Sequence, residues 1–161
     1  MDAIDLLVSQ HRAMEALTEQ AIKATGDGER LALFNRVADE LTTHVASEEQ
    51  VFYPAVKARR TEDILLESLE EHLSLKRLVA DLLALQPSDQ TFEPKFKVLK
   101  EQMEHHHKEE EEHLFPKARQ LLDDARRVDL GSEMLALQKS LQRQGEPREA
   151  MSDQTESAAP L

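Results

Sequence analysis

The sequence has no cysteine and no tryptophan. Without cysteine there are no disulfides, no thiolate metal sites and no cysteine nucleophile. Glycine occurs 4 times and proline 6 times in 161 residues, and aromatic residues make up 4%. That scarcity argues against a strand-rich fold, which enriches aromatic and β-branched residues, and favours long helices. Positive charge is also short: 20 Lys and Arg stand against 32 Asp and Glu, for a net charge of -12 with histidine neutral. Such a surface repels phosphate backbones and anionic bilayers, so neither nucleic acid nor membrane is expected as a partner. No apolar run approaches the roughly 18 residues that a membrane helix needs. The N-terminus, Met1-Asp2-Ala3-Ile4-Asp5, lacks the basic and apolar regions of a signal segment, so the expected location is cytoplasmic.

Four long amphipathic stretches are present. They predict helices from about Asp2 to Ala24, Glu29 to Arg60, Thr61 to Gln86 and Thr91 to Arg127, with Thr61 as the N-cap of the third. Gly26 and Gly28 mark one break, and Pro87-Ser88-Asp89 another. A short fifth helix is expected from Ser132 to Gln142. The segment from Gly145 to Leu161 is rich in Ser, Pro, Glu and Ala and is expected to be disordered and dispensable. The domain reading is a bundle over residues 1–128, a short C-terminal helix over 129–144 and a tail over 145–161. Short connections make consecutive helices antiparallel, so the predicted fold is all-α, an up-down-up-down four-helix bundle.

Each predicted helix carries an apolar stripe interrupted at its middle. The first reads Ile4, Leu7, His11, Met14, Thr18; the second Val37, Leu41, His44, Glu48, Val51, Ala55. The third reads Leu65, Leu69, His72, Lys76, Val79; the fourth Phe96, Leu99, Met103, His106, Glu110, His113. The interruptions repeat. His44 and His106, Glu48 and Glu110, and Pro54 and Pro116 are each 62 residues apart, and His11 and His72 are 61 apart. The chain is thus a two-fold helix-hairpin repeat whose repeated feature is polar.

Residues four apart share a helix face, so His44 with Glu48, and His106 with Glu110, point at one site. Depths counted from the loops at about 1.5 Å per residue bring His11 and His72 to the same level. Four imidazoles and two carboxylates buried without partners would be strongly unfavourable, and a pair of cations resolves this. His11, His44, Glu48, His72, His106 and Glu110 are therefore the expected metal ligands. Two histidines per ion and two bridging glutamates give four bonds to each ion, and a bridging oxide or hydroxide makes five. One position is left for water, dioxygen or nitric oxide. Imidazole with carboxylate suits iron, and also manganese or zinc.

Neighbouring residues divide as follows. His105 and His107 flank His106 by about 100° and are expected at the surface. His113 falls on the inward face. Glu15 and Lys76, each four residues after a ligand histidine, are expected as partly exposed ion-pairing groups. Tyr53, nine residues after His44, falls on the opposite face and reads as packing. Pro54 and Pro116 are expected to bend their helices ten residues beyond the histidines.

The pattern His, His-x-x-x-Glu, His, His-x-x-x-Glu, with Glu-Glu at each glutamate and then Phe-Tyr-Pro or Leu-Phe-Pro, resembles the hemerythrin-like HHE cation-binding family over roughly residues 1–125. The resemblance implies a non-haem di-iron site on the six residues above. Oxygen-carrying hemerythrins have a fifth histidine where Lys76 stands, and an aspartate five residues after the last-helix histidine, where this chain has Glu110 at four. The arrangement is closer to the di-iron proteins of iron–sulfur cluster repair and nitrosative stress, which commonly add an N-terminal cysteine region. The expected function is a module that binds or senses dioxygen, nitric oxide or peroxide, or buffers iron. The alternative is a small di-iron redox enzyme acting on peroxide or nitric oxide in stress defence. No catalytic residue is assigned beyond the metal ligands, and no protein partner follows from the sequence.

Overall fold

Asp2 starts the first helix. Its carboxylate accepts a hydrogen bond from the Ile4 amide at 2.7 Å and one from the Arg127 side chain at 2.7 Å. This satisfies one amide at the helix start and ties it to the helix that carries Arg127. A computed structural model describes all 161 residues, and it is all-helical. The helices are α1 (Ala3–Lys23), α2 (Asp27–Ser47), α3 (Tyr53–Ala55), α4 (Glu62–Leu83), α5 (Phe92–Glu109), α6 (Phe115–Leu121) and α7 (Asp124–Arg143). A single π turn, Glu48–Phe52, joins α2 to α3, and another, Glu110–Leu114, joins α5 to α6. The α1, α2–α3, α4 and α5–α6 rods form the bundle. Helix α1 packs against α2 and α5, α4 packs against α5, and α7 lies across α1 and α2.

The apolar stripes build two cores with a polar slice between them. One core gathers Met14, Phe34, Leu41, Val79, Phe92, Phe96 and Met103 toward the loop end of the bundle. The other gathers Ile4, Leu7, Phe52, Leu65, Leu69, Leu114, Phe115 and Met134 at the opposite end. His11, His44, His72 and His106 fall between them, as the interrupted stripes require.

Several expected boundaries move. The fourth helix stops at Leu121 because Leu122 is extended and Asp123 caps a new helix, accepting from the Arg126 amide at 2.8 Å. The fifth helix therefore spans Asp124–Arg143 and not Ser132–Gln142. Its Gly131 is required by packing: a Cβ there would lie 2.2 Å from the Met1 carbonyl oxygen. Thr61 does precede α4, but its side chain does not cap it. The hydroxyl instead donates to the Val56 carbonyl at 2.7 Å and accepts from the Ala58 amide at 2.9 Å, closing the preceding loop.

The expectation of a disordered tail is corrected. Residues Pro147–Gln154 form a 3-10 helix packed on α2 and α4. Met151 enters the first core at 1% exposure. Arg148 meets Asp39 at 2.9 Å, and Arg77 donates to the Thr155 carbonyl at 2.9 Å. Polar composition lowers the intrinsic tendency to fold, but one well-placed methionine and two arginine anchors suffice when a groove between helices is waiting. Deleting residues 145–161 is therefore expected to cost about 3 kcal/mol, the scale of losing one buried large side chain. At about 2–4 °C per kcal/mol this lowers the melting temperature by roughly 6–12 °C, measurable by thermal unfolding.

Candidate metal centre

Each of the four histidines has one ring nitrogen pointing outward to a fixed acceptor. The Nδ1 atoms of His11, His44, His72 and His106 lie 2.8 Å from oxygens of Glu111, Gln10, Glu49 and Glu71 respectively. An oxygen acceptor at that distance keeps the proton on Nδ1 and leaves the Nε2 lone pair facing inward. The pairs follow the two-fold repeat. The second glutamate of each Glu-Glu pair reaches across to the histidine of another helix, and the residue before His11 or His72 holds His44 or His106.

The inward atoms converge. Glu48 Oε1 lies 3.3 Å from His44 Nε2 and 3.2 Å from His72 Nε2. Glu110 Oε1 lies 3.3 Å from His11 Nε2 and 3.4 Å from His106 Nε2. The Nε2 atoms of His72 and His106 stand 3.0 Å apart. With both Nδ1 atoms carrying protons, two lone pairs meet there. All six residues are at most 2% exposed. His11 Nε2, His44 Nε2, both Glu48 oxygens and Glu110 Oε1 have no hydrogen-bond partner. So many orphaned buried acceptors are costly unless cations fill the space between them. Two four-residue groups present ligand atoms within 4.8 Å of one another: His11, His44, Glu48 and Glu110, and Glu48, His72, His106 and Glu110. Both glutamates belong to both groups, the arrangement of carboxylates shared by two ions. The donor set thus fits the metal pair the sequence implies.

Without cations the charges settle differently. Burial and the neighbouring Glu110 push the Glu48 carboxyl well above its ordinary value. Burial would raise Glu110 too, but the charge on His106 with Glu48 and His11 outweighs it and holds Glu110 well below. Burial drives His44 and His72 down. It opposes protonation of His106 as well, but Glu110 and Glu71 prevail there and raise it. Of the metal-free pair, Glu48 is the one that favours its proton and Glu110 the one that favours its charge.

Four residues, Tyr53, His113, His107 and Lys76, sit elsewhere than their spacing predicts. Tyr53 is fully buried at the centre; its hydroxyl donates to Glu110 Oε2 at 2.6 Å and lies 3.2 Å from His72 Nε2. His113, expected inward, has 57% of its side chain exposed. Both corrections have one cause, the π turns. In each, the backbone N–H of the residue before proline bonds five residues back, Tyr53 to Glu48 and Phe115 to Glu110. Pro54 and Pro116 lack the amide of a regular turn, and their rings crowd the carbonyl four residues back, which favours the wider turn. The turn absorbs about one residue, a rotation of roughly 100°, bringing Tyr53 inward and sending His113 out. The prolines thus mark widened turns at the first residue of which each ligand glutamate sits.

His107, expected at the surface, is 1% exposed and stacks on the His11 ring at 3.8 Å and 9°. The face it occupies looks outward on an isolated helix but is covered by α1. His105 remains exposed as expected, with 64% of its side chain accessible. Lys76 is buried, its ammonium 2.9 Å from Glu49 Oε1. Burial works against ionising Glu49, but His72 and Lys76 hold it below the usual carboxylate range. Lys76 is therefore an anchor for the carboxylate that orients His72. Glu15, partly exposed, pairs with Arg12 at 2.5 Å and faces His107 Nδ1 at 3.2 Å.

The fifth helix also reaches the centre. Gln138 donates to Gln10 Oε1 at 3.1 Å and to Ser47 Oγ at 3.0 Å, and accepts from Gln10 Nε2 at 2.8 Å. Gln10 in turn holds His44. No signal in the sequence marks Gln138, since the contact spans 128 residues. Gln138→Leu is expected to weaken metal binding by up to about tenfold, read by chelator competition, by releasing the Gln10 amide. Outside this closed centre, an open groove of about 440 Å3 is lined by Glu67, Glu70, Glu71, Glu101 and His105 and touches it only through Glu71.

The sequence matches the model of the hemerythrin HHE cation binding domain over residues 2–118. A crystal structure of a hemerythrin HHE cation binding domain-containing protein from Mycobacterium kansasii is similar, with a TM-score of 0.81 and 24% identity, covering 96% of this chain and 99% of that one. A DNA nickase of Nostoc sp. is 24% identical over 142 residues, which are 88% of this chain and 40% of that protein. The chain thus spans well under half of that relative. No helix here is long and apolar enough to cross a membrane.

Proposed function

Since the chain belongs to the hemerythrin HHE cation-binding domain family, we propose that it holds two iron ions and uses them to bind or sense a small ligand: dioxygen, nitric oxide or peroxide. His11 and His44 would hold one ion and His72 and His106 the other, with Glu48 and Glu110 shared between them. The observation that carries this is the convergence of unpartnered, buried Nε2 and carboxylate atoms on one slice of the bundle. When bound, iron supplies a redox-active Lewis acid with room for an exogenous ligand. The protein fixes the imidazole tautomers through Glu111, Gln10, Glu49 and Glu71 and keeps bulk water away with the two apolar cores. Imidazole and carboxylate also accept manganese or zinc, so iron is the choice to be tested.

A second reading, a small redox enzyme reducing peroxide or nitric oxide, draws on Tyr53. Its buried hydroxyl is a proton donor at the centre, and burial with the two glutamates beside it pushes its ionisation well above the ordinary value. Metal analysis of untagged protein, joined to anaerobic absorption spectra with and without dioxygen or nitric oxide, tests the first reading. Two irons per chain and a ligand-dependent spectrum are expected; one or none would overturn it. Turnover of peroxide or nitric oxide with an added electron donor, lost in Tyr53→Phe, would favour the enzyme.

A further inference from the structure

Building on the two-ion reading above, we propose that residues 152–161 form a releasable strap over the seam between α2 and α4, and that the ion held by His72 and His106 enters and leaves the centre beneath it.

On its other sides the bundle is closed by direct helix packing: α1 lies against α2 and α5, and α4 against α5. Between α2 and α4 the 3-10 segment Pro147–Gln154 packs on both and joins them. The chain then runs from one core to the other. Met151 is seated in the first core, and Ala158, Ala159 and Leu161 pack against the second. The metal slice lies between the two cores, so residues 152–157 cross it. What they cross is the support of His72. Arg77, the neighbour of Lys76, donates to the Thr155 and Glu156 carbonyls at 2.9 and 3.2 Å. Gln50, the neighbour of Glu49, lines one cavity of about 220 Å3 with Gln154. Glu49 holds the outer nitrogen of His72, and Lys76 holds Glu49; their side chains are only 9% and 3% exposed.

The hold on this stretch is weak where it crosses. Arg77 is exposed, its two acceptors are backbone carbonyls at the surface, and the apolar groups beyond are two alanines and a half-buried leucine. Arg148 on Asp39 and Met151 in the core fix the preceding residues and give the strap a hinge. Segments with exposed hydrogen bonds and few buried apolar contacts open locally while the rest of a protein stays folded. Lifting this one turns Glu49 and Lys76 to water, with His72 directly behind them. The other seams have firmer covers. Helix α7 lies over α1 and α2, with Gln138 on Gln10. The acidic groove beside Glu71 ends on α4 and α5 packed against each other. An open state populated at roughly 0.1–10% slows entry and exit by the same fraction and leaves affinity unaltered.

The test uses the full chain with cobalt(II), uptake being read from its visible absorption in stopped flow and release from its loss to excess EDTA. Two variants free the strap without altering the bundle interior: Arg77→Ala, and Arg77→Ala combined with Leu161→Asp. For one of the two ions, both rates should rise together in each variant, by about 10–1000-fold in the double variant, with Kd unchanged. Arg77 is exposed, so the single variant stays folded and carries the test by itself. Unchanged rates would overturn the strap alone. Faster release without faster uptake would also overturn it, making the segment a support of the site and not its gate. Exchange slowed by Glu101→Gln but untouched in the strap variants would place the path in the acidic groove, against the proposal. A wild type that takes up fewer than two cobalt ions would overturn the two-ion reading on which the strap rests.

Discussion

Stripping the metal is expected to lower the melting temperature by roughly 15–30 °C. Ions that bind only the folded bundle stabilise it by mass action, about 4 kcal/mol each at a thousandfold excess over Kd. In a chain of this size each kcal/mol is worth about 2–4 °C. The metal-free protein should also acquire a pH dependence that the loaded form lacks. Burial holds His44, His72 and His107 neutral in the fold. The unfolded chain protonates them below about pH 6.5, so the stability they contribute is present above that value and lost as pH falls. Glu48 and His106 are shifted upward, and act the other way: what they contribute is present at low pH and lost as pH rises through their folded values. As pH falls below about 6.5, His44, His72 and His107 take up protons on unfolding, and the raised Glu48 opposes this in part. The imidazole uptake lowers metal-free stability as pH falls below about 6.5. Replacing His11, His44, Glu48, His72, His106 and Glu110 together by Leu and Met should give a metal-free bundle at least as stable as the stripped wild type, because the orphaned polar groups are gone. Thermal unfolding of loaded, stripped and six-fold variant protein measures all of this. An unchanged melting temperature on stripping, together with a variant that fails to fold, would mean a structural polar network in place of a metal centre.

Glu110→Ala is expected to abolish binding of both ions, whereas His72→Ala should weaken only one. The two four-residue groups have both glutamates in common and no histidine in common. Losing a shared carboxylate removes a donor from each ion and leaves the inward imidazoles unbridged. Losing His72 leaves the His11–His44 position with all its donors. Glu49→Ala and Glu111→Ala, which release the outer nitrogen of His72 or His11 and also free Lys76 or Arg12, should weaken binding by about 10–100-fold. His105→Ala should leave two ions bound, since that ring is exposed. Metal stoichiometry by elemental analysis after iron reconstitution, with affinities from chelator competition, separates these classes. Equal loss from Glu110→Ala and His105→Ala would refute the assignment of faces.

Local spacing along the chain was enough to read several parts of this protein. Helix periodicity located the four rods of the bundle, and the 62-residue repeat with its i, i+4 His–Glu pairs brought six side chains to one level. Counting at about 100° per residue works for all six, because His11 and His72 lie in uninterrupted helices and the other four lie before a π turn or at its first position. Beyond Glu48 and Glu110 the count slips, and the widened turns bring Tyr53 in and send His113 out. Proline showed that the helix was disturbed there but not whether it would kink, break or widen. Packing between distant segments decided the rest. His107 is buried because α1 covers its face, Lys76 because Glu49 meets it there, and Gln138 because α7 lies over α1 and α2. Met151 is ordered because α2 and α4 offer it a groove. A residue's own helix face is written in its neighbours along the chain. What covers that face is set by elements a hundred residues away, and is fixed only when the bundle closes.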